Sequence, residues 1–190
     1  MIGPLHRYRY FNEIAACLLI ITSALIIFSK SYSFDLASEE DRINHHYFSV
    51  SLHQQDFLPT FLTPPDHFSY WVPTTYLSYI VDFFLWGNAS GKHHLHSLLY
   101  HIINGLLLLF LFKNITGEMW PSTFAATILT IHPLHVEAVV HLAARSVVLS
   151  TLFALLTLIS YIHYVRSSKP SAYILALIFF AAGLLAKPSI

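Results

Sequence analysis

A polar stretch at residues 130–150 separates two strongly apolar runs of the chain. Its ionisable residues and its proline are His132, Pro133, His135, Glu137, His141 and Arg145. Proline lacks an amide hydrogen and clashes with the preceding helical turn, so it ends or breaks a helix. Ionisable groups at membrane depth are rare unless they face a cavity, a partner or a substrate path. The stretch therefore predicts a helix break beside a functional site.

Apolar runs elsewhere in the chain predict an all-α polytopic membrane protein with about five transmembrane helices. They lie at residues 10–29, 95–112, 120–131, 147–165 and 172–186, and the third breaks at Pro133. With 55% hydrophobic and 11% charged residues among 190, the composition is outside the range of ordinary soluble domains. No basic run is present to neutralise phosphates, so the sequence predicts no nucleic-acid partner. The single cysteine, Cys17, excludes a disulfide framework.

Residues 30–94 form a polar segment between the first two runs, and it is too long to be a simple connection. Three prolines between residues 59 and 65 predict short helices separated by turns. Residues 70–86 are rich in aromatic and apolar side chains and contain Asp82. Tryptophan and tyrosine favour the membrane–water boundary, so this part predicts a helix on the interface, with a full span as the alternative.

The density of lysine and arginine predicts the orientation of the chain. With five spans, residues 1–12, 113–120 and 166–170 share one side, where these residues are about three times denser than on the other side. Because cytoplasmic loops are enriched in lysine and arginine, the N-terminus is predicted to be cytoplasmic. Residues 30–94 and 134–146 then share the extracytoplasmic side, where the acidic loop and the polar stretch should meet.

Several short motifs follow one another in an order that resembles a known family. They are Tyr70, Pro73, Leu77 and Ser78, then HLHSLLYHIIN at residues 94–104, HPLHVEAV at 132–139, Arg145, and LLAKP at 184–188. The pattern is similar to that of C-type (GT-C) membrane glycosyltransferases. It most resembles bacterial multispanning proteins with tetratricopeptide repeats and eukaryotic transmembrane O-mannosyltransferases with such repeats. HPLHVEAV is the most specific motif, and the resemblance covers nearly the whole chain.

The resemblance implies a partial GT-C fold, with residues 1–190 as the N-terminal part of one membrane domain. Residues 30–94 would be its extracytoplasmic helical loop. The implied activity is transfer of a sugar from a polyprenyl-phosphate-linked donor to an acceptor, protein or glycan, at the outer membrane face. Relatives continue through further spans and repeats, so we expect this chain to be an N-terminal fragment. The expected location is the bacterial inner membrane, as a multi-pass protein.

Sugar transfer with inversion needs a carboxylate base that takes a proton from the acceptor. The family has two adjacent aspartates early in the first loop, followed by an isoleucine and an asparagine. The matching segment here is acidic and precedes Ile43. The candidates for the base are Glu39, Glu40, Asp41 and Asp35. The alternative interpretation is that they are solvated charges on a loop helix.

The leaving group of such a transfer is a phosphate, which cations or hydrogen-bond donors should hold. Arg145 is the best candidate because a guanidinium fork suits phosphate oxygens and stays charged. The alternative is that Arg145 snorkels to the interface. The assisting candidates are His132, His135 and Lys187, and the supporting ones are His94 and Glu137, the latter as partner of a histidine or of Arg145.

The 13 histidines raise the question of a metal site. None of them reproduces a zinc signature, so the sequence predicts no metal and no cofactor, with a bound divalent cation left open. His101 and Asn104, on one face of the second span, are expected to pack against neighbouring helices.

Two other functions stay open beside the glycosyltransferase. One is a non-catalytic membrane module, or a truncated inactive copy, that binds lipid phosphate or a partner. The other is a histidine-lined transporter segment, which the nearly uncharged runs at 147–165 and 172–186 disfavour. The leading hypothesis predicts that carboxylates of the first loop and Arg145 converge around a lipid headgroup at the outer leaflet.

Overall fold

Helices are the only regular elements in the part of the chain that the computed structural model describes, namely residues 4–33, 36, 38–53 and 71–188. They are α1 (Pro4–Phe28), a 3-10 helix (Ser29–Ser33), α2 (Glu39–His53), α3 (Pro73–Trp86), α4 (Ser90–Thr116), α5 (Met119–Thr130), α6 (His135–Val140), α7 (Arg145–Ser167) and α8 (Pro170–Ala186). The predicted all-α class is confirmed.

Three of the described helices are long and apolar enough to cross a membrane. Their apolar stretches are Tyr10–Ser31, Gly91–Thr116 and Arg145–Ser167. The helices α5 and α8 are shorter, at 12 and 17 residues, than the roughly 20 that a bilayer crossing needs. The membrane class is therefore confirmed, while the predicted number of five spans is not.

The helix break predicted at Pro133 lies between α5 and α6. The first of these helices ends at Thr130, two turns follow, and the second begins at His135. The terminal carbonyl of Thr130 accepts a hydrogen bond from His101 Nε2 at 2.8 Å, which satisfies a backbone group that the break frees. Asn104 Nδ2 donates to Val148 O at 2.9 Å. Both α4 side chains thus contact neighbouring helices, as predicted.

Short turns join the long helices into antiparallel neighbours. Gly117 ends α4 in the left-handed conformation, with φ of 77°, and its amide donates to Lys113 O at 2.9 Å. Where α4 crosses α5 and α1, a Cβ atom at Gly105 would lie 2.6 Å from Thr130 Oγ1 and 3.0 Å from Ile20 Cγ2. Only glycine allows this close approach.

Polar contacts mark the two ends of the helix bundle. At one end, Lys113 Nζ lies 2.5 Å from Glu13 Oε1. At the other end, Thr75 Oγ1 donates to Ala186 O at 3.0 Å, so α3 contacts the end of α8. This second end also holds α2, α6 and the start of α7. The acidic loop and the polar stretch therefore lie at the same end of the bundle, and which membrane face this is stays a prediction.

An apolar core joins α2 and α3 to the segment that follows α6. Its buried members are Phe48, Val72, Tyr76, Tyr79, Ile80, Phe83 and Leu142. The opposite side of α3 exposes Leu77, Phe84 and Leu85. Such a two-sided apolar helix is consistent with the predicted interfacial location, because its exposed side needs another apolar environment.

Candidate functional site

Asp41 joins the beginning of α2 to the segment after α6. Its amide donates to Ser38 Oγ at 3.0 Å, and Ser38 N donates to Asp41 Oδ2 at 3.3 Å, which is a capping box around the first helical turn. The other carboxylate oxygen accepts a hydrogen bond from Ala143 N at 2.7 Å. Asp41 is fully buried. Because both oxygens are engaged, the side chain fixes two segments together and has no open face for an acceptor.

Arg145 lies inside the protein, at the first residue of α7. One guanidinium nitrogen is 2.5 Å from Asp82 Oδ2, Nε donates to Ser97 Oγ at 3.1 Å, and Nη2 donates to His93 O at 2.7 Å. The guanidinium carbon lies 4.8 Å from the centre of the Tyr79 ring. With 0% of its surface exposed, Arg145 pins α7 to α3 and α4.

Asp82 is the acidic partner of this cluster and was not predicted as a site residue. Its carboxylate lies 3.2 Å from His93 Nδ1 and also contacts His96 Nδ1. Burial alone would raise the pKa of Asp82. The hydrogen bond from His93, the charge of Arg145 and the contact with His96 outweigh it and hold that pKa below its ordinary value. The carboxylate therefore stays ionised in the interior.

Tyr79 completes the packing around the buried arginine. Its hydroxyl donates to Leu142 O at 2.6 Å, which ties α3 to the segment before α7. Burial raises the pKa of this phenol, so it remains a neutral hydrogen-bond donor. Together with the Asp82–Arg145 pair, this bond fixes the first turn of α7 in place.

A cavity of about 320 Å³ lies beside that first turn. It is lined by Ser38, Glu40, Glu137, His141, Ala143, Ala144, Ser146, Val147 and Lys187. Glu40 is exposed at the second residue of α2, and Lys187 immediately follows α8. His141 Nδ1 lies 3.5 Å from Asp41 Oδ2 and 37% of its side chain is exposed. The cavity thus combines carboxylates, a lysine and the positive end of the α7 helix dipole.

Three predicted site residues meet in this cavity: Glu40, Glu137 and Lys187. Arg145 lies directly behind its wall and Asp41 directly beside it, both buried. Glu39 is exposed on the same helical turn as Glu40 but does not line the cavity. Asp35 lies outside the described residues.

The remaining predicted residues lie elsewhere. His135 lines a separate cavity of about 100 Å³ together with His101 and Asn104. Burial, and then the neighbouring His132, lower the pKa of His135, which opposes a cationic role. The His132 ring centre is 6.5 Å from that of His135, and His94 is fully buried and lines neither cavity. In the described segments, no three His, Cys, Asp or Glu side chains are arranged to hold a metal ion.

Two residues of these polar clusters, Asp82 and His141, were not predicted as site residues from the sequence. Asp82 is the one charged residue of its helix, and a buried charge needs a partner, so the sequence indicated that Asp82 would be paired. The proximity of His141 to Asp41 joins residues 100 positions apart in the chain, and no local pattern could have indicated it.

The chain is similar in sequence to animal protein O-mannosyl-transferases. It is 30% identical to protein O-mannosyl-transferase Tmtc2 of Drosophila melanogaster over 139 residues, and 25% identical to Tmtc1 of that organism over 138 residues. Identity to human TMTC3 is 27% over 120 residues. These matches cover 70%, 73% and 63% of this chain but only 15%, 16% and 13% of the respective relatives.

No family model matches the chain, and no solved structure matches it. The relatives are animal proteins, so they give no support to the expected bacterial inner membrane. They do bear out the predicted resemblance to eukaryotic transmembrane O-mannosyltransferases: this chain is a membrane protein related to the TMTC protein O-mannosyl-transferases.

Proposed function

We propose that this chain provides the headgroup site of a glycosyltransferase that moves a sugar from a polyprenyl-phosphate-linked donor to a protein hydroxyl. The cavity supports this proposal most directly, because it combines Glu40, Lys187 and the N-terminus of α7 at one end of a membrane bundle. The relatives are named as protein O-mannosyl-transferases, which favours mannose as the sugar and a protein as the acceptor.

The donor phosphate would bind on the side of the cavity formed by Lys187 and the first turn of α7. The dipole of α7 favours an anion at this end of the helix. Lys187 adds a full positive charge. Arg145 would act from behind the wall, where its pairing with Asp82 holds this turn in position. A volume of about 320 Å³ is at the lower end of the range of small-molecule sites.

Glu40 would act as the base. As the acceptor hydroxyl attacks the anomeric carbon, Glu40 takes the hydroxyl proton, and the bond from that carbon to the phosphate oxygen breaks. The electron pair leaves with the lipid phosphate, and the sugar configuration is inverted. Glu137 faces the same cavity from α6 and would accept hydrogen bonds from sugar hydroxyls. Asp41 instead accepts a hydrogen bond from Ala143 N, and Glu39 does not line the cavity.

The proposal includes the orientation predicted from charge density. The N-terminus would be cytoplasmic, and the end of the bundle with the cavity would face the opposite side, where a lipid-borne donor presents its headgroup at membrane depth. A C-type glycosyltransferase arrangement of helices is part of the same proposal.

The test is a transfer assay on the full chain reconstituted in liposomes. Labelled polyprenyl-phosphate mannose and a serine- and threonine-containing peptide are the substrates. Glu40→Gln should lower the transfer rate by about 10²- to 10⁴-fold, as loss of a general base does. Glu39→Gln is the matched control, since the two residues are neighbours in the chain and only Glu40 lines the cavity.

Equal rates for Glu40→Gln and the unmodified chain would contradict the assignment of the base. The non-catalytic alternative predicts a different pattern. In that case the unmodified chain binds polyprenyl phosphate but transfers no sugar, and Glu40→Gln changes neither property.

A further inference from the structure

We infer that His141, held by Asp41, donates a hydrogen bond and a proton to the phosphate of the lipid donor. The inference rests on the proposed function and adds a role for His141, a residue of the polar stretch that was not among the predicted site residues. His141 ends α6, and its half-buried side chain lines the cavity together with Lys187. It therefore lies where the proposed donor phosphate would bind.

The geometry of the Asp41–His141 contact leaves one ring nitrogen for a ligand. His141 Nδ1 lies 3.5 Å from Asp41 Oδ2, so it faces a carboxylate acceptor. In an imidazole, Nε2 is on the opposite edge of the ring and is the remaining donor or acceptor. Asp41 itself is buried and held by Ser38 N and Ala143 N. A fixed carboxylate behind a partly exposed histidine orients the ring toward the cavity.

The charged groups of the surrounding elements either contact His141 or line the same cavity. Asp41 and Glu40 come from α2, Glu137 comes from α6, and Lys187 follows α8. Asp82 and Arg145 are buried next to the cavity wall, and their opposite charges neutralise each other. The lysine and the histidine are therefore the two groups on the cavity wall that can carry positive charge toward a phosphate.

The step balances in atoms and charge. When the bond between the anomeric carbon and the phosphate oxygen breaks, the electron pair goes to that oxygen, and His141 Nε2 transfers its proton there. Glu40 has taken one proton from the acceptor, so one proton is gained and one is given by the protein. A phosphate monoester has a second pKa of about 6, so the leaving phosphate oxygen is basic enough to accept this proton.

The experiment measures binding of a short polyprenyl phosphate to the full chain in lipid nanodiscs between pH 5.5 and 8. His141→Gln should weaken binding about tenfold at pH 6, as loss of a charged hydrogen bond does. The phosphate also titrates, so the contribution of His141 is the difference between the two pH curves. That difference should shrink as the pH rises, because a neutral imidazole brings no positive charge to the phosphate. His132→Gln, an exposed histidine outside the cavity, is the control.

Asp41→Asn tests whether the carboxylate positions and charges the ring. It keeps an oxygen that can accept from Ala143 N but removes the negative charge beside His141. The contribution of His141 to phosphate binding should fall, while thermal unfolding reports that the fold is retained. Inorganic phosphate is a second probe. If it binds as tightly as polyprenyl phosphate, the site recognises free phosphate rather than a lipid headgroup.

Binding by His141→Gln within twofold of the unmodified chain at every pH would overturn the inference, as would absence of any polyprenyl phosphate binding by the unmodified chain. The proposed function fails separately. If the chain shows the His141-dependent pH effect but transfers no sugar, the phosphate site is supported and the transferase activity is contradicted. If transfer depends on Glu40 but the pH effect is absent, the transferase activity is supported and the role of His141 is contradicted.

Discussion

Two polar clusters adjoin the first turn of α7, and they differ in how completely their charges are paired. The buried cluster consists of Asp82, His93, His96, Ser97 and Arg145. The open cavity is lined by Glu40, Glu137, His141 and Lys187 among others. In the buried cluster, aspartate and arginine satisfy each other at 0% exposure. In the cavity, side chains of both charge types line a space that is open to solvent.

The difference indicates which charges hold the fold and which are available to a ligand. An ion in the interior is stable only with a partner, because the loss of hydration is otherwise not compensated. Arg145 therefore serves the fold first, even though its residue type and position predicted a phosphate ligand. Residues of the cavity need no such pairing because water reaches them, and a charged headgroup can replace that water.

The largest expected effect comes from breaking the buried cluster. Arg145→Met leaves the buried Asp82 without its guanidinium partner, and the free energy of unfolding should fall by about 3–5 kcal/mol. Unfolding of the detergent-solubilised chain by denaturant measures this. The double substitution Asp82→Leu with Arg145→Met should recover part of the loss, because it removes both charges.

The control for this prediction is the ion pair at the other end of the bundle. Lys113 and Glu13 are 28% and 32% exposed, so Lys113→Met should change the free energy of unfolding by about 1 kcal/mol or less. If Arg145→Met and Lys113→Met had equal small effects, the division into a structural cluster and an available cavity would be wrong.

A smaller effect is expected where the two regions are joined. Asp41→Ala removes the acceptor of Ala143 N and half of the capping box, and we expect a loss of about 1–3 kcal/mol. Hydrogen exchange should become faster at residues 141–144 and at the start of α2. Glu39→Ala, on the same turn but exposed, should leave this exchange unchanged. Unaltered exchange in Asp41→Ala would show that the carboxylate does not connect these segments.

The smallest effect concerns the cavity alone. Lys187→Met should weaken binding of polyprenyl phosphate about three- to fivefold, because the lysine is partly exposed and its attraction is screened. Its thermal unfolding should match that of the unmodified chain. Lys169→Met, at the opposite end of α8, is the matched control and should affect neither property. A loss of stability in Lys187→Met would place that lysine with the structural charges.

Local sequence patterns were sufficient for the helices and for the break between α5 and α6. The apolar run at 147–165 became α7, and Pro133 stopped α5 because the requirements for both are local. The number of spans was harder to predict from the sequence, because the 12-residue helix α5 is as apolar as a span but too short to cross a bilayer.

The candidate site was predicted only in part. Glu40 and Lys187 were named from residue type and do line one cavity, because the acidic loop and the polar stretch share one end of the bundle. The pairing of Asp82 with Arg145 depends on how α3 packs against α7, which residue type alone does not specify. For the same reason the sequence could not tell that Asp41 is buried while its neighbour Glu40 is exposed.

The central claim, that the cavity beside α7 receives a lipid-linked phosphate, is tested most directly by photo-crosslinking. A polyprenyl phosphate with a diazirine near its headgroup is bound to the full chain, irradiated and mapped by peptide mass spectrometry. We predict that residues 137–147 are labelled and that unlabelled polyprenyl phosphate reduces this labelling. A second cavity, of about 450 Å³ and lined by Glu13 and Lys113, lies at the other end of the bundle. Labelling concentrated there, or labelling that unlabelled lipid does not reduce, would contradict the claim.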